Sequence, residues 1–495
     1  MSIHTQRHAD AIVVGSGIGG LAAAAKLAQD GLKVLVFERH SLPGGHAHSF
    51  PRRVRGTRTV YDFDVSMHQL GDMRPGRPFH ALLDSLGLLD RLAVRRFRLA
   101  YRTVGPRHDV LVPAAHERYR QRLTAAFPDE RQGIRDLFQH VIELGELADG
   151  KISATARNSL ALTIDDCVRQ HVRDERLINI FCILSGYLGT PPQRLAALPF
   201  AQMWASYHCG GCSYIVGGGS ALVAALMAYI RERGGAVHLR HAVERILTAD
   251  GRVCGVETHR HGTFHAPVVV ANTAPQVALE QLLDQPELAR HSLNAAAGHE
   301  IGGSYVQTYL GIRGAVPQLE RLRLVTGQYD PAAEWEAVEN GQFGRQFVSL
   351  ANHNRADPDH VPDGRTILHA TMVATGERWL RMDAAEYREA KTEVEQHLID
   401  RLAAVVPDLR ARLEICETGT PKTMQRYTGN PGGAMFGYFS DLRSHTLLRP
   451  KPKTSVPGLF LAGAWTFPMG GYQGAFTSGC NTARLVLKHL GVHRP

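Results

Sequence analysis

A chain of 495 residues with 44% hydrophobic composition exceeds what one compact core usually holds, so two structural domains are expected. Its 56 Lys+Arg against 47 Asp+Glu give a net charge of +9. The basic residues are mostly Arg, spread along the whole chain without a basic-aromatic cluster, which excludes a nucleic-acid partner.

Seven cysteines without the dense spacing of a secreted disulfide scaffold point to a reducing compartment. The opening MSIHTQRHAD has no apolar run ahead of a cleavage site, and no stretch reaches the roughly eighteen apolar residues of a membrane span. The expectation is a cytoplasmic chain, or one attached to a membrane surface from one side.

In chain order, Ala11-Ile12-Val13-Val14 reads as a short buried strand, followed at once by Gly15-Ser16-Gly17-Ile18-Gly19-Gly20 and the helical run Leu21 to Gln29. This is G-x-G-x-x-G in its required context. Gly15 permits the tight turn, Gly17 lets the backbone approach a pyrophosphate, Gly20 allows close helix–strand packing, and the helix N-terminus favours negative charge. The next strand, Lys33 to Phe37, ends at Glu38, about twenty residues onward, where a carboxylate binds the adenosine ribose hydroxyls.

Residues 76–212 are mostly helical in periodicity, for example Phe79 to Leu89 and Gln132 to Leu147. Residues 213–275 read Gly turn, helix, strand, strand. Residues 276–447 show strand-like alternation at Ser304 to Gly311 and Thr366 to Thr375, then a helix from about Asp383 to Val406. Residues 448–495 read strand, Gly-rich turn, helix. The simplest arrangement is an α/β cofactor domain assembled from 1–75, 213–275 and 448–495, interrupted by a substrate domain of 76–212 and 276–447.

After Glu38, the run Arg39 to Phe50 with its pair Gly44-Gly45 resembles the segment following the ribose carboxylate in the amine-oxidase and carotenoid-desaturase flavoproteins. The likeness continues through Tyr61-Asp62-Phe63-Asp64, Gly217-Gly218-Gly219-Ser220, Val243-Glu244-Arg245-Ile246, Val268 to Ala274, Pro457 to Trp465 and Gly470 to Ala475. Within that superfamily the sequence is most similar to the branch of retinol saturase and carotenoid isomerase, which shares Ala126-Phe127-Pro128 and Pro431-Gly432-Gly433-Ala434.

The resemblance implies an FAD-binding Rossmann-like domain of the two-dinucleotide-binding type with an inserted α+β substrate domain. FAD would lie along Gly15, Ser16, Gly17, Ile18, Gly19, Gly20, Glu38, Arg39, Gly44, Gly45 and His46, with the backbone of Val243 against the adenine. Its isoalloxazine would sit near Gly463, Ala464, Gly471 and Tyr472. The substrate would be a polyene, isoprenoid or acyl chain entering between the domains. Two departures bear on fine specificity: Ala464 stands where many relatives place an acidic residue, and Val216 where a basic one often precedes the Gly pair.

Hydride exchange between a carbon and flavin N5 leaves the protein to position the chain, exclude water and supply a proton, whether the outcome is saturation, desaturation or isomerisation. Candidate proton donors are Tyr472, Tyr427 and His208. Cys209-Gly210-Gly211-Cys212 is a C-x-x-C with no second pair or His partner, so no metal site is expected, and two small residues lining a pocket is the plainer reading against a redox pair. With one complete dinucleotide fingerprint, the electron donor or acceptor comes from outside: oxygen, a quinone or a reductase. An apolar substrate also predicts peripheral membrane contact through the helical part of 76–212. Two alternatives share the fold: amine oxidation, which needs an aromatic cage, and prenyl-lipid binding of the GDP-dissociation-inhibitor type, against which the retained flavin segments argue.

Overall fold

Ala11–Val14 and Val34–Glu38 are continuous apolar runs, the pattern of strands covered on both faces, and they pair in parallel at the centre of a five-stranded sheet. The structure is a computed structural model that describes residues 7–146 and 154–492, without the side chains of 154–156. Residues 1–6 of the opening segment, and Leu147 at the end of an expected helix, lie outside the described residues.

The sheet order is Leu459–Leu461, Val269–Ala271, Ala11–Val14, Val34–Glu38, Ala236–Leu239, all parallel. Strands from widely separated parts of the chain thus meet in one Rossmann-like layer. The alanine-rich helix Ile18–Gln29 packs against the helices Gly471–His489 and Gly218–Glu232 on one face. A Cβ on Gly479 would lie 2.9 Å from the Ala23 amide nitrogen and would run into the Gly19 carbonyl, so the last helix approaches the first only through a glycine. On the other face, an antiparallel sheet of Val243–Ala249, Arg252–Thr258 and Gly262–His265 covers Ile12, Leu35 and Phe37.

The second layer is a seven-stranded sheet in the order Leu413–Gly419, Ser304–Arg313, Arg365–Ala374, Val348–Asn352, Leu322–Val325, Leu99–Gly105, His108–Pro113. Helix Ala384–Ala403, capped by a reciprocal Asp383–Glu386 box, packs on it through Val394, Leu398 and Leu402. The helices between His116 and His208 build a separate apolar core that reaches the sheet at Leu322, Leu324 and Phe347.

The strands expected around Ser304 and Thr366 and the helix after Asp383 all form. Residues 76–212 are less uniformly helical than their periodicity suggests, because Leu99–Gly105 and His108–Pro113 form an edge hairpin of the large sheet. Its outward Arg102 pairs with Asp109 and Glu320, and those charges mask the strand alternation. The helix expected over Phe79 to Leu89 runs Pro78–Ser85 and stops before Gly87, whose φ of +60° a helix does not accommodate. Among the described residues, no helix is long and apolar enough to cross a membrane.

Candidate active site

The fingerprint turn is organised around Glu38. Ser16 donates to Glu38 Oε2 from both its amide and its hydroxyl, each at 2.8 Å, and the His40 amide donates to Oε1 at 2.8 Å. The second Gly pair docks directly on the first, with the Gly44 amide donating to the Ser16 carbonyl at 3.1 Å and Gly17 bridging to Gly44. Gly44 has a φ of +111°, and a Cβ there would lie 2.8 Å from Val223 Cγ2. Only glycine fits that approach.

Behind this floor stands Asn272. Its side-chain oxygen accepts from the Gly17 amide at 3.2 Å while its nitrogen donates to the Ala462 carbonyl at 3.3 Å. A Cβ on Gly17 would come within 2.6 Å of the Asn272 amide, and one on Gly463 would run into it. One side chain therefore joins the first and last nucleotide-fold segments.

A continuous cavity of about 1060 Å³ runs from Glu38, Arg39 and Val243, past the paired glycine turns, to Tyr187, Tyr207 and Phe347 beneath the large sheet. Helix Ile18–Gln29 has no side-chain cap, and Gly17, Ile18 and Gly19 at its start all line this cavity. Gly15, Gly45, His46, Ala464, Gly471 and Tyr472 line the same wall, as does Gly44. Ser16, Gly20 and Gly463 are not on the wall; their contacts are with Glu38, with the Gly15 carbonyl and with Asn272.

Burial lowers the His46 imidazole to about 4, so it is neutral. Its carbonyl accepts from the Ser66 hydroxyl at 2.7 Å, and that hydroxyl lies 3.2 Å from the Tyr472 hydroxyl. Burial pushes Tyr472 well above the usual phenol range and keeps its proton on. Trp465 is buried on the cavity wall, donating from Nε1 to Asn430 Oδ1 at 3.1 Å.

The other two candidate proton donors are elsewhere. Tyr427 is 44% exposed and stands edge-on to His40 at 5.1 Å, beside Glu38 and Arg39, with Arg39 donating to the Arg426 carbonyl at 3.0 Å. It lines the cavity at the nucleotide end. His208 is fully buried among Trp204, Tyr119 and Tyr101, with ring centroids 4.7, 5.0 and 6.3 Å away, and is absent from the cavity wall. Burial holds it neutral, near 3. The expectation of a proton donor at His208 is corrected: the apolar face of helix Ala197–His208 carries it into the helical core.

Cys209 and Cys212 are free thiols, neither on the cavity wall, and burial pushes both up to about 12. The turn they flank packs on Asp72 and Ser206. The reading of two small residues lining a pocket is corrected as well.

Three residues of this site were not singled out from sequence. Asn272 lies in the stretch Val268 to Ala274 and Asp64 in Tyr61 to Asp64, both matched as family segments without a role for the residue; Tyr187, at the inner end of the cavity, has no local signal. Tyr187 Oη is 2.9 Å from His68 Nδ1 and 3.3 Å from Ser349 Oγ.

The residues fit FAD. An uncapped helix N-terminus opens on a floor of glycines packed too closely on Asn272, Val223 and one another to carry side chains, a carboxylate stands at the end of the second strand, and the cavity continues far beyond the nucleotide floor. The chain is 24% identical to the chloroplastic prolycopene isomerase of Daucus carota, over 99% of this chain and 81% of that one. It is also 24% identical to the all-trans-retinol 13,14-reductase of Danio rerio, over 97% and 86%. Its fold is similar to that of wild-type putrescine oxidase bound to putrescine, with a TM-score of 0.65 and 16% identity over 97% and 99% of the two chains. The model of the flavin-containing amine oxidoreductase family matches residues 18–487, so the chain belongs to that family and is an FAD-dependent oxidoreductase.

Proposed function

We propose that this oxidoreductase acts on carbon–carbon bonds of a long apolar polyene or isoprenoid, by saturation or isomerisation, the reactions its sequence relatives' names describe, or by desaturation. The observation that carries the reading is the inner wall of the cavity. Tyr187, Leu188, Met203, Tyr207, Tyr305 and Phe347 surround it, and the polar groups beside them include the neutral Gln307, Ser349 and Thr371 and His68, which burial lowers to about 4 and so keeps uncharged. The carboxylates Asp72 and Glu146 on the cavity wall are both held by Arg77 at 2.8 Å. Among the described residues, the inner wall offers no free carboxylate to neutralise an ammonium, which disfavours an amine substrate.

Bound FAD supplies the hydride acceptor or donor at N5. The chain's own residues position the substrate, exclude water and hold the proton. Tyr472 and Tyr187 both keep their phenolic protons through burial, and each has a hydroxyl or imidazole partner to hold its orientation. We assign proton delivery to these two hydroxyls, and FAD contact to the glycine floor with Glu38, Arg39, His46, Val243 and Ala464. Oxygen, a quinone or a reductase completes the electron balance from outside.

An apolar substrate also favours contact with a membrane surface. Leu442, Leu447 and Leu448 are 37%, 51% and 51% exposed, and neighbouring Thr446 donates at 2.8 Å to Gln202, a cavity-wall residue. The described helices of 76–212, where this contact was expected, expose no large apolar side chain, so we place it at this loop instead; sedimentation with anionic liposomes at low salt should be lost in the Leu447→Asp/Leu448→Asp double variant.

The test of the reaction is anaerobic mixing of the photoreduced protein with all-trans-retinol, a carotenoid and an unsaturated acyl lipid while the flavin band is followed. Reoxidation by a polyene, with the product showing a shortened conjugated chromophore, supports a saturase. Conversion of a cis-polyene without net reoxidation supports an isomerase, and bleaching of the oxidised protein by a saturated precursor a desaturase. Bleaching by putrescine alone overturns the reading.

A further inference from the structure

We propose that His68, His353 and His369 form a binding site for a divalent first-row transition-metal ion beneath the cavity floor. No spacing motif announces it, and the sequence led us to expect no metal. His68 follows the loop after the strand Val60–Asp64, His353 follows the strand Val348–Asn352, and His369 lies within Arg365–Ala374, opposite Ala351 and Tyr309. The pairing of Val348–Asn352 with Arg365–Ala374 brings His353 and His369 together, and the loop after Val60–Asp64 carries His68 to them.

One ring nitrogen from each histidine lies within 4.8 Å of the other two, and all three residues are at most 9% exposed. Ring centroids are 4.0 Å apart for His353 and His369, and 6.2 Å from His68 to either. Three nitrogens around one tetrahedral Zn²⁺ stand roughly 3.3 Å apart, from metal–nitrogen distances of about 2.0–2.1 Å, so closure needs side-chain shifts of about 1 Å.

Two of these imidazoles have a buried nitrogen with nothing to bond. Nε2 of His68 and Nε2 of His369 have no hydrogen-bond partner, a state that ordinarily costs roughly 1–3 kcal/mol per group. The opposite nitrogen of His68 is engaged as the outer nitrogen of a metal-ligating histidine usually is, whereas that of His369 accepts from an amide. His68 Nδ1 is 2.9 Å from the Tyr187 hydroxyl, and His369 Nδ1 is 3.2 Å from Gln307 Nε2 and 2.9 Å from His353 Nε2. An ion would replace the His353–His369 contact and satisfy both orphan nitrogens, once the His369 proton moves to Nδ1 and the Gln307 amide turns its oxygen to accept it.

Three neutral imidazoles with no carboxylate select zinc, copper, nickel or iron over magnesium or calcium. Arg321, which donates to the His68 carbonyl at 2.9 Å and to Gln69 Oε1 at 2.8 Å, adds a positive charge that further disfavours weakly held cations. His68, Tyr187, Gln307 and Ser349 all line the cavity, so a fourth ligand, water or the polar end of a substrate, would come from that side.

The experiment is equilibrium dialysis of the FAD-loaded, tag-free full chain against micromolar Zn²⁺, desalting, and metal analysis alongside flavin absorbance. The expected result is one zinc retained per wild-type chain and none in His369→Ala or His68→Gln, with the flavin-to-protein ratio unchanged. His68→Gln, on the loop, decides the matter if His369→Ala does not fold. Failure of the wild type to retain zinc, or equal retention in a folded variant, overturns the proposal.

Discussion

Asp64 Oδ2 accepts a 2.6 Å hydrogen bond from the Gly219 amide, joining the end of the first nucleotide-fold segment to the helix that opens the second. The other oxygen takes the amides of Ser66 and Met67 at 2.8 and 2.7 Å, so one buried carboxylate satisfies three backbone donors. A carboxylate at a helix N-terminus also meets the positive end of the helix dipole.

Replacing Asp64 by Asn turns one acceptor into a donor facing N–H groups. Leaving such groups unpaired costs about 2 kcal/mol, so the urea midpoint of Asp64→Asn should fall by that equivalent. Gly219→Ala should lose stability by a different route, since its Cβ would lie 2.8 Å from the Ala47 carbonyl oxygen and crowd the Tyr472 hydroxyl. Equal midpoints for wild type and Asp64→Asn would show that the contact between segments is slack.

The two glycines of the fingerprint should fail differently. A Cβ on Gly20 runs into the Gly15 carbonyl oxygen, backbone against backbone, so Gly20→Ala should lower the melting temperature by several degrees at about 1–3 kcal/mol of overpacking. A Cβ on Gly17 meets only the end of the Asn272 side chain, which can shift, so Gly17→Ala should lose less stability than Gly20→Ala, while the displaced Asn272 and the added methyl on a cavity-lining turn cost FAD affinity tenfold or more. Flavin absorbance and melting temperature on the same samples separate the two effects. Full flavin content in Gly17→Ala would remove the pyrophosphate from that turn.

The contrast between those glycines explains what sequence alone could reach. The strand, turn and helix around Gly15 to Gly20 are encoded locally, by buried runs and backbone requirements within thirty residues, and the structure repeats them. Gly17 was legible from its own strand, turn and helix, while Gly44, Val243, Ala464 and Tyr472 were reached through the family resemblance of their segments, and all of these line one cavity. Asn272 was not, since an asparagine after a strand looks the same whether it faces solvent or holds Gly17 and Ala462. Likewise His353 and His369 meet through the pairing of Val348–Asn352 with Arg365–Ala374, and Tyr187 reaches the cavity from the turn Ile183–Leu188, neither of which periodicity specifies. His208 misled for the converse reason: its chemistry is conspicuous, but its position on the buried face of Ala197–His208 is set by packing.

Tyr427 should act on cofactor affinity rather than on turnover. Its edge contact with His40, beside Glu38, is an aromatic interaction of about 1 kcal/mol. Tyr427→Ala should weaken FAD binding roughly fivefold by that arithmetic, while turnover at saturating FAD stays at the wild-type level and Tyr427→Phe binds FAD normally. A large drop in turnover of FAD-saturated Tyr427→Phe would return the hydroxyl to the chemistry.

His208 should register in acid stability. Its folded pKa is near 3, against an ordinary 6.5, because it is wholly buried in an aromatic core. Between those values the unfolded chain binds a proton that the folded chain refuses, so stability rises with pH across this window and is lost as pH falls below 6.5. At pH 4 the loss from this one group is about 3 kcal/mol. His208→Phe keeps an aromatic ring against Trp204 and Tyr119 and removes the titration, so its packing cost is constant with pH. The stability of the variant relative to wild type should therefore improve by about 3 kcal/mol between pH 7 and pH 4, read from urea midpoints. The other histidines titrate alike in both proteins and cancel. Turnover at pH 7 should be unchanged, because the ring does not reach the cavity. A variant whose stability falls in parallel with wild type would mean that His208 is already protonated in the fold, and a variant that loses activity while folded would restore it to the reaction.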